Sequence, residues 1–417
     1  MIYTSGTTGF PKGAMLTHKN VISNYQWCAT IPNYERDDRV LSFLPLCHIY
    51  ERMLNYLFQS FGMSIYYAES IDKVGANIKE VKPHTFCAVP RVLEKTYDKI
   101  VNTGRGLKGI KRFLFFWALG LGKHYELHGV NGPWYEFKLK IADMLVFRKW
   151  RQALGNNIKL IVSGGAPLQP RIARVFWAAG IKIMEGYGLT ETSPVIAVTN
   201  LEPDGFKFGT CGPVLPGVEV KLAGDGEIMT RGACIMKGYF NQPEETKAVI
   251  DEDGWFHTGD IGYFVDGRYL KITDRKKEIF KTSGGKYVAP QVIENKFKES
   301  SFIENLMVVG ENRHHCIALI LPNFDYLESW CRIKGHPFKS KEEAILDEII
   351  INRIQKEVNE FNASLDKVEQ IRKFAILADE WTVENGEFSP TLKLRRKYLL
   401  DKYSSLIEEL YAKNGDD

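Results

Sequence analysis

Over roughly the first 200 residues, short apolar runs alternate with amphipathic stretches. VLSFLPL (40–46), SIYYAE (64–69), TFCAVP (85–90) and IKLIVSGG (158–165) are short, rich in apolar or β-branched residues and closed by Pro, Gly or polar positions, so each predicts a strand. Between them, 19–30 and 170–179 carry apolar residues at helical spacing. Strand–helix alternation predicts an α/β fold with a doubly wound, mostly parallel sheet, in which ligands bind at the carboxyl ends of the strands.

The pattern changes twice after that. From 209 to 273, Gly and Pro punctuate short strands (GPVLPGVEVKLAG, GEIMTRG, GYFVDGRYLKIT), which predicts a small antiparallel β unit. After Asp274 the chain reads strand, Gly loop and helix through KEIFKTSGGKYVAPQVIENKFKES, then a hairpin in MVVGENRHHCIALILP, a charged helical stretch and a last strand, IRKFAILA (371–378). The expected organisation is therefore 1–208 as α/β domain, 209–274 as a β-barrel-like unit, and 275–417 as a smaller α+β domain.

Composition narrows the class. The chain has 417 residues, 44% hydrophobic and 25% charged, which excludes disordered, collagenous and coiled-coil chains. A net charge of +4 is too small over this length to argue for nucleic acid. Seven scattered cysteines without a CxxC suggest neither a disulfide framework nor a zinc site, and point to reduced thiols in the cytoplasm. Residues 1–13 lack the basic and apolar regions of a signal peptide. The most apolar stretch, FLFFWALGL (113–121), is far short of the roughly 20 residues of a bilayer span, and is flanked by Lys108, Lys111, Arg112 and Lys123. A core helix or pocket lid is its favoured reading; the other is weak peripheral contact with a membrane surface.

Five segments carry chemistry. Tyr3-Thr4-Ser5-Gly6-Thr7-Thr8-Gly9-Phe10-Pro11-Lys12-Gly13 sets hydroxyls, glycines and a lysine together, a composition that suits a polyphosphate although it does not match the Walker A pattern. Glu185-Gly186-Tyr187-Gly188-Leu189-Thr190-Glu191 reads as a strand end, a Gly turn and a carboxylate, with Ser163-Gly164-Gly165 as a second Gly loop. Thr258-Gly259-Asp260 offers an acceptor-only side chain able to take two hydroxyls. Lys281 to Lys286 (KTSGGK) is a paired-glycine turn, and SPTLKLRR (389–396) would by itself be a solvated basic run.

In order and spacing these segments resemble the AMP-forming acyl-activating enzymes, the superfamily of acyl-CoA synthetases, firefly luciferase and peptide-synthetase adenylation domains. The resemblance runs from Tyr3 to the Lys393 region. It implies that Thr4, Ser5, Gly6, Thr7, Thr8 and Gly9 cradle the ATP phosphates beside Lys12. Gly164, Gly165, Gly186 and Tyr187 would take the adenine, Asp260 the ribose and Arg275 the nucleotide. Glu191 and Thr4 would hold Mg²⁺, and Thr190 would join Glu191, Lys12 and Lys393 as catalytic residues; Asp274 would be the hinge of a mobile C-terminal domain. Gly284 and Gly285 would line the path of CoA, and Lys393 would bridge the acyl carboxylate and the α-phosphate, with Lys397 a weaker candidate. Leu392 stands where Gly usually precedes that lysine, a form characteristic of the long-chain branch. LPLCHIYER (44–52), with His48 at the acyl pocket, and the aromatic-rich 91–150 are similar to that branch too.

The resemblance implies a long-chain fatty acid:CoA ligase with ATP, Mg²⁺ and CoA as partners of the fatty acid, oligomeric state open. Another acyl-adenylating enzyme, such as an acyl-AMP ligase or carrier-loading enzyme, and an inactive remnant remain as alternatives. Members of the superfamily carry a large portion ahead of the phosphate loop, whereas here only Met1 and Ile2 precede Tyr3, too few for a strand of usual length. The expectation is thus of a chain poorly soluble and nearly inactive alone, with Thr4 to Gly13 mobile, and of a reading frame that continues upstream.

Overall fold

The apolar runs form the strands β3 (Arg39–Ser42), β4 (Ser64–Tyr67), β5 (Thr85–Ala88) and β6 (Leu160–Ser163), joined by β7 (Ile183–Gly188) and β8 (Val195–Val198) in one sheet of order β4-β3-β5-β6-β7-β8. The pairs from β4 through β7 are parallel and β8 runs antiparallel to β7. This is a computed structural model, and it describes residues 1–4, 11–389 and 394–412.

Register explains why the central strands read as unbroken apolar runs. Leu41, Phe86, Ile161 and Ile183 are aligned across neighbouring strands and enter one core; Cys87, Val162 and Met184 enter the other. A sheet buried on both faces has no polar side to alternate with. Helix His18–Ala29 begins with a capping box in which Thr17 and Asn20 each bond the other's backbone N–H. Helix Pro170–Ala178 starts on a proline, whose missing N–H costs nothing at that position.

The Gly/Pro-rich stretch forms β9 (Val218–Leu222), β10 (Glu227–Gly232), β11 (Phe256–Val265) and β12 (Tyr269–Arg275), in the order β12-β11-β10-β9. A hairpin of β13 (Phe280–Lys281) and β14 (Tyr287–Val288) follows, then helix Pro290–Phe297. The predicted hairpin is β15 (Ile303–Val309) with β16 (Cys316–Pro322); the final strand β17 (Ile371–Ile376) returns parallel to β16. Every residue of β16 is buried, at the centre of a separate core that includes Phe297, Leu327, Ile354 and Leu399.

The chain divides into two compact units, Met1–Thr258 with Gly262–Ile272, and Gly259–Ile261 with Thr273–Asp417. Among the described residues, no helix is long and apolar enough to cross a membrane.

One expectation is corrected. A strand does precede the phosphate loop: β1 (Ile2–Thr4) pairs antiparallel with β2 (Lys12–Ala14), Thr4 opposite Lys12. Tyr3 and Thr4, counted as loop in the sequence reading, belong to the strand, and a short hairpin needs only three residues a side. Thr4, Lys12 and Gly13 are held in this ladder, so the mobility expected from Thr4 to Gly13 does not apply to them. Residues 5–10 lie outside the described residues.

Candidate functional site

In the larger unit, β2 is fixed by a second neighbour. Met15 N–H donates to Gly238 O (2.9 Å), Lys237 N–H to Met15 O (2.9 Å) and Phe240 N–H to Gly13 O (2.8 Å), with Ala14 bridged to Tyr239. This ladder puts the Tyr239 ring beside Lys12, whose Nζ lies 5.1 Å from the ring centroid. The Tyr239 hydroxyl donates to Glu191 Oε1 at 2.8 Å. Burial raises the Tyr239 pKa, and the Glu191 charge raises it further, so the phenol stays protonated and stays a donor. One tyrosine thus joins a lysine and a carboxylate from motifs far apart in sequence.

Glu191 sits in the 3₁₀ turn Thr190–Thr192, only 8% exposed, and its backbone carbonyl accepts from Met236 N–H at 2.8 Å. The turn is braced by Leu189 N–H donating to Thr192 Oγ1 (3.0 Å). Gly188 allows the tight approach: a Cβ there would lie 1.8 Å from the Pro194 carbonyl oxygen. Gly186 differs, since a Cβ would meet nothing closer than 3.8 Å, and packing alone does not demand glycine there. Lys12 also forms a salt bridge with Glu245, whose side chain is half exposed. A partner so open to water contributes little and is readily exchanged for another anion.

The remaining predicted residues of this unit lie at or near the ends of strands, except His48. Thr4 Oγ1 donates to Lys12 O at 3.4 Å. Gly164 follows β6, its N–H donating to Ala88 O (3.2 Å), with the Tyr50 ring 3.1 Å from where a Cβ would be; Gly165 has φ +84°. Tyr187 pairs with Ala197 across β7 and β8. His48 is half-buried at the start of helix Ile49–Ser60 and makes no side-chain cap.

Glu185, not singled out by the sequence reading, is 7% exposed within β7; its Oε1 has no hydrogen-bond partner, and burial pushes its pKa up to about 8 despite a bond from the Leu168 backbone. Because the folded value exceeds the unfolded one, near 4.5, the stability tied to this proton is complete below that pH and is lost as pH rises through about 8. Glu185→Gln, which mimics the protonated acid, should therefore match wild type in thermal midpoint at pH 5 and exceed it at pH 9 by roughly 5 °C. Melts across that range check this; a constant difference would contradict it.

The smaller unit holds its own cluster. Asp260, 3% exposed on β11, accepts from Arg275 Nε at 2.9 Å, so the residues expected at the ribose and the nucleotide face each other. Asp274 is fully buried; its oxygens accept from Arg275 N–H (2.6 Å) and Gln291 N–H (2.8 Å). Burial raises its pKa to about 7 in spite of those two bonds. Gly284 and Gly285 lie in the β13–β14 turn, closed by Thr282 N–H to Lys286 O (2.9 Å), with φ +79° at Gly285.

Lys393 lies outside the described residues, but the chain just after it is anchored. Arg396 donates to Glu294 Oε2 (2.6 Å), Glu278 Oε2 (3.0 Å) and Val308 O (3.3 Å). Burial opposes its charge, yet Glu294 and Glu278 more than offset that and hold its pKa above the usual arginine value. Gln291 Nε2 donates to the same Glu278 oxygen at 2.8 Å, which connects this anchor to the Asp274 cluster. Lys397 is exposed on helix Arg396–Lys402. Arg396 was read as part of a solvated basic run because its partners are about a hundred residues away, where no local pattern reaches.

Comparison with known proteins adds to this geometry. The family described as AMP-binding enzyme matches residues 1–240, and its C-terminal domain matches 277–415. The long-chain-fatty-acid--CoA ligase FadD15 of Mycobacterium bovis is 36% identical over 99% of this chain and 69% of its own length. Human long-chain-fatty-acid--CoA ligase 6 is 34% identical over 98% of this chain and 60% of its own. In fold, the chain is similar to the adenylation domain of a carboxylate reductase from Mycobacterium chelonae (TM-score 0.71, 24% identity, covering 99% of this chain and 60% of that one). It is also similar to MatB from Rhodopseudomonas palustris (TM-score 0.68, 21% identity, 97% and 68%).

Proposed function

We propose, from the premise that the chain belongs to the AMP-binding enzyme family, that it is a long-chain fatty acid:CoA ligase. Fatty acid and ATP form acyl-adenylate and diphosphate; the CoA thiol then displaces AMP to give acyl-CoA. The observation that carries this reading is Tyr239, whose ring lies beside Lys12 and whose hydroxyl donates to Glu191, so that a cation and a carboxylate share one neighbour. That is the arrangement a magnesium-bound polyphosphate requires.

The donor set suits Mg²⁺. Glu191 supplies hard oxygen with Oε1 held by Tyr239, and no group of three or more His, Cys, Asp or Glu among the described residues forms a cage of its own. Mg²⁺ favours one or two carboxylates completed by phosphate and water, so Glu191 and Thr4 would hold it; bound there, it neutralises polyphosphate charge. Lys12 exchanges Glu245 for a phosphate oxygen. Gly164, Gly165, Gly186 and Tyr187 receive the adenine, and Asp260 the ribose, with Arg275 turning from Asp260 to the nucleotide. Lys393 holds the carboxylate and the α-phosphate together, and Arg396 fixes the chain three residues beyond it. Asp274 is the hinge, Gly284 and Gly285 line the CoA path, and His48 belongs to the acyl pocket. The protein's contribution is positioning and charge stabilisation rather than covalent chemistry.

The test is the thiol acceptor. With palmitate, MgATP and CoA, mass spectrometry should find palmitoyl-CoA and AMP; release of palmitoyl-AMP with CoA untouched would instead assign an acyl-AMP ligase. A second outcome follows from the Lys12 pair. Glu245→Gln removes the anion that competes with phosphate and should lower the KM for ATP about two- to fivefold, as expected for an ion pair of up to about 1 kcal/mol. An unchanged KM would show that Glu245 does not compete.

A further inference from the structure

Ser42 closes β3 at the carboxyl end of the sheet, the end at which sheets of this kind take their ligands. Residues 43–48 lead from it into helix Ile49–Ser60, and this turn ends on His48, the residue that caps the helix. Pro45, Leu46 and Cys47 are exposed, so the turn has little packing of its own to fix it. Two side chains of the helix fix it instead. Arg52 Nε donates to Leu46 O at 2.8 Å, which holds the tip. Ser42 Oγ donates to Glu51 Oε1 at 2.5 Å, which closes the base.

A carboxylic acid is a costly way to close that base. Glutamate at the third position of a helix ordinarily reaches back to the backbone N–H ahead of the helix. Here the His48 N–H donates to Pro45 O (3.0 Å), and the Glu51 side chain turns inward and is 1% exposed. Asn55, one turn on, donates from Nδ2 to Glu51 O (2.9 Å) and to Ser42 Oγ (3.4 Å), and accepts from the Tyr67 hydroxyl at Oδ1 (3.1 Å). The network thus ties the helix to β3 and β4. Glu51 Oε2 has no hydrogen-bond partner, and among the described residues no cation is paired with the carboxyl. The titratable groups that face it, Tyr50 on its own helix and Cys87 on β5, are kept neutral by burial. Burial likewise raises the Glu51 pKa to about 7, against the pull of Ser42 and Asn55. An apolar side chain would avoid the unmatched oxygen and the desolvation. Local departures of this kind gather at functional sites.

We infer that Glu51 is a positioning residue of the acyl site: through Ser42 it sets the turn that carries His48, and so governs how tightly the fatty acid is held. This rests on the ligase reading, which places His48 at the acyl pocket. The stability tied to the Glu51 proton is complete below about 4.5, the ordinary value, and is lost as pH rises through about 7, so the turn should loosen over that range. Steady-state kinetics of palmitate-dependent AMP formation test this, with KM measured separately for palmitate and for ATP at pH 6 and pH 8.5. Glu51→Leu, which leaves Ser42 Oγ without its acceptor, should raise the KM for palmitate about tenfold and leave that for ATP within about twofold. Glu51→Gln keeps the acceptor and cannot ionise. Its KM for palmitate should match wild type within about twofold at pH 6 and fall at least threefold below wild type at pH 8.5; comparison at each pH cancels the titration of palmitate itself. The glutamine variant preserves volume and carries the test even where Glu51→Leu does not fold. A KM for palmitate that follows wild type at both pH values in Glu51→Gln, or equal rises in both KM values in Glu51→Leu, would overturn the assignment while palmitate turnover left the ligase reading standing. A wild-type chain that turns over ATP without dependence on palmitate would overturn both.

Discussion

Replacing Lys393 by alanine should reduce acyl-adenylate formation by two orders of magnitude or more, while thioester formation from supplied acyl-adenylate stays within about threefold of wild type. Adenylation brings two anions, the acyl carboxylate and the α-phosphate, into contact. A cation between them acts on that step alone, because in the second step the carboxylate is already esterified and the nucleophile is a thiol. Removing one preorganised group that stabilises developing charge costs about 10²–10³ in rate, and an interaction made only in one transition state leaves the other unaffected. Arg396, three residues further on, is held by Glu278, Glu294 and the Val308 carbonyl. Rapid-quench measurement of each half-reaction checks the separation; equal loss in both would contradict the role of Lys393.

Glu191→Gln should lower adenylation at least tenfold, equivalent to about 1.4 kcal/mol, and raise the Mg²⁺ concentration needed for half-maximal rate. The substitution keeps an oxygen to accept from Tyr239, so the 2.8 Å bond can persist while the charge is lost. Tyr239→Phe is the complementary case: it keeps the charge and removes the bond, and should cost less. If Mg²⁺ titrations of Glu191→Gln and wild type coincided, Glu191 would be a buried carboxylate that only braces the Thr190–Thr192 turn.

How far the sequence carried these conclusions depended on distance along the chain. β3, β5 and β6 were legible because a strand buried on both faces is an apolar run that Pro, Gly or a polar residue must end. The β15–β16 hairpin was legible because its strands are neighbours. The return of β17 beside β16 was not, since nothing within IRKFAI specifies a partner some fifty residues earlier. Most named site residues came from resemblance, because a Gly loop or a lone Asp does not reveal its ligand. Tyr239 escaped notice for a similar reason: its contacts with Lys12 and Glu191 join three segments whose only common feature is the β2 ladder. β1 was overlooked because strand length was judged against the usual strand rather than against a minimal hairpin.

The central claim is that this chain activates fatty acids by adenylation. It is tested most directly by the incorporation of labelled diphosphate into ATP, with and without palmitate, on the purified chain and its Lys393→Ala variant. The account predicts an exchange rate that depends on palmitate and is lost in the variant. Exchange that ignores palmitate, or that Lys393→Ala leaves intact, would contradict it.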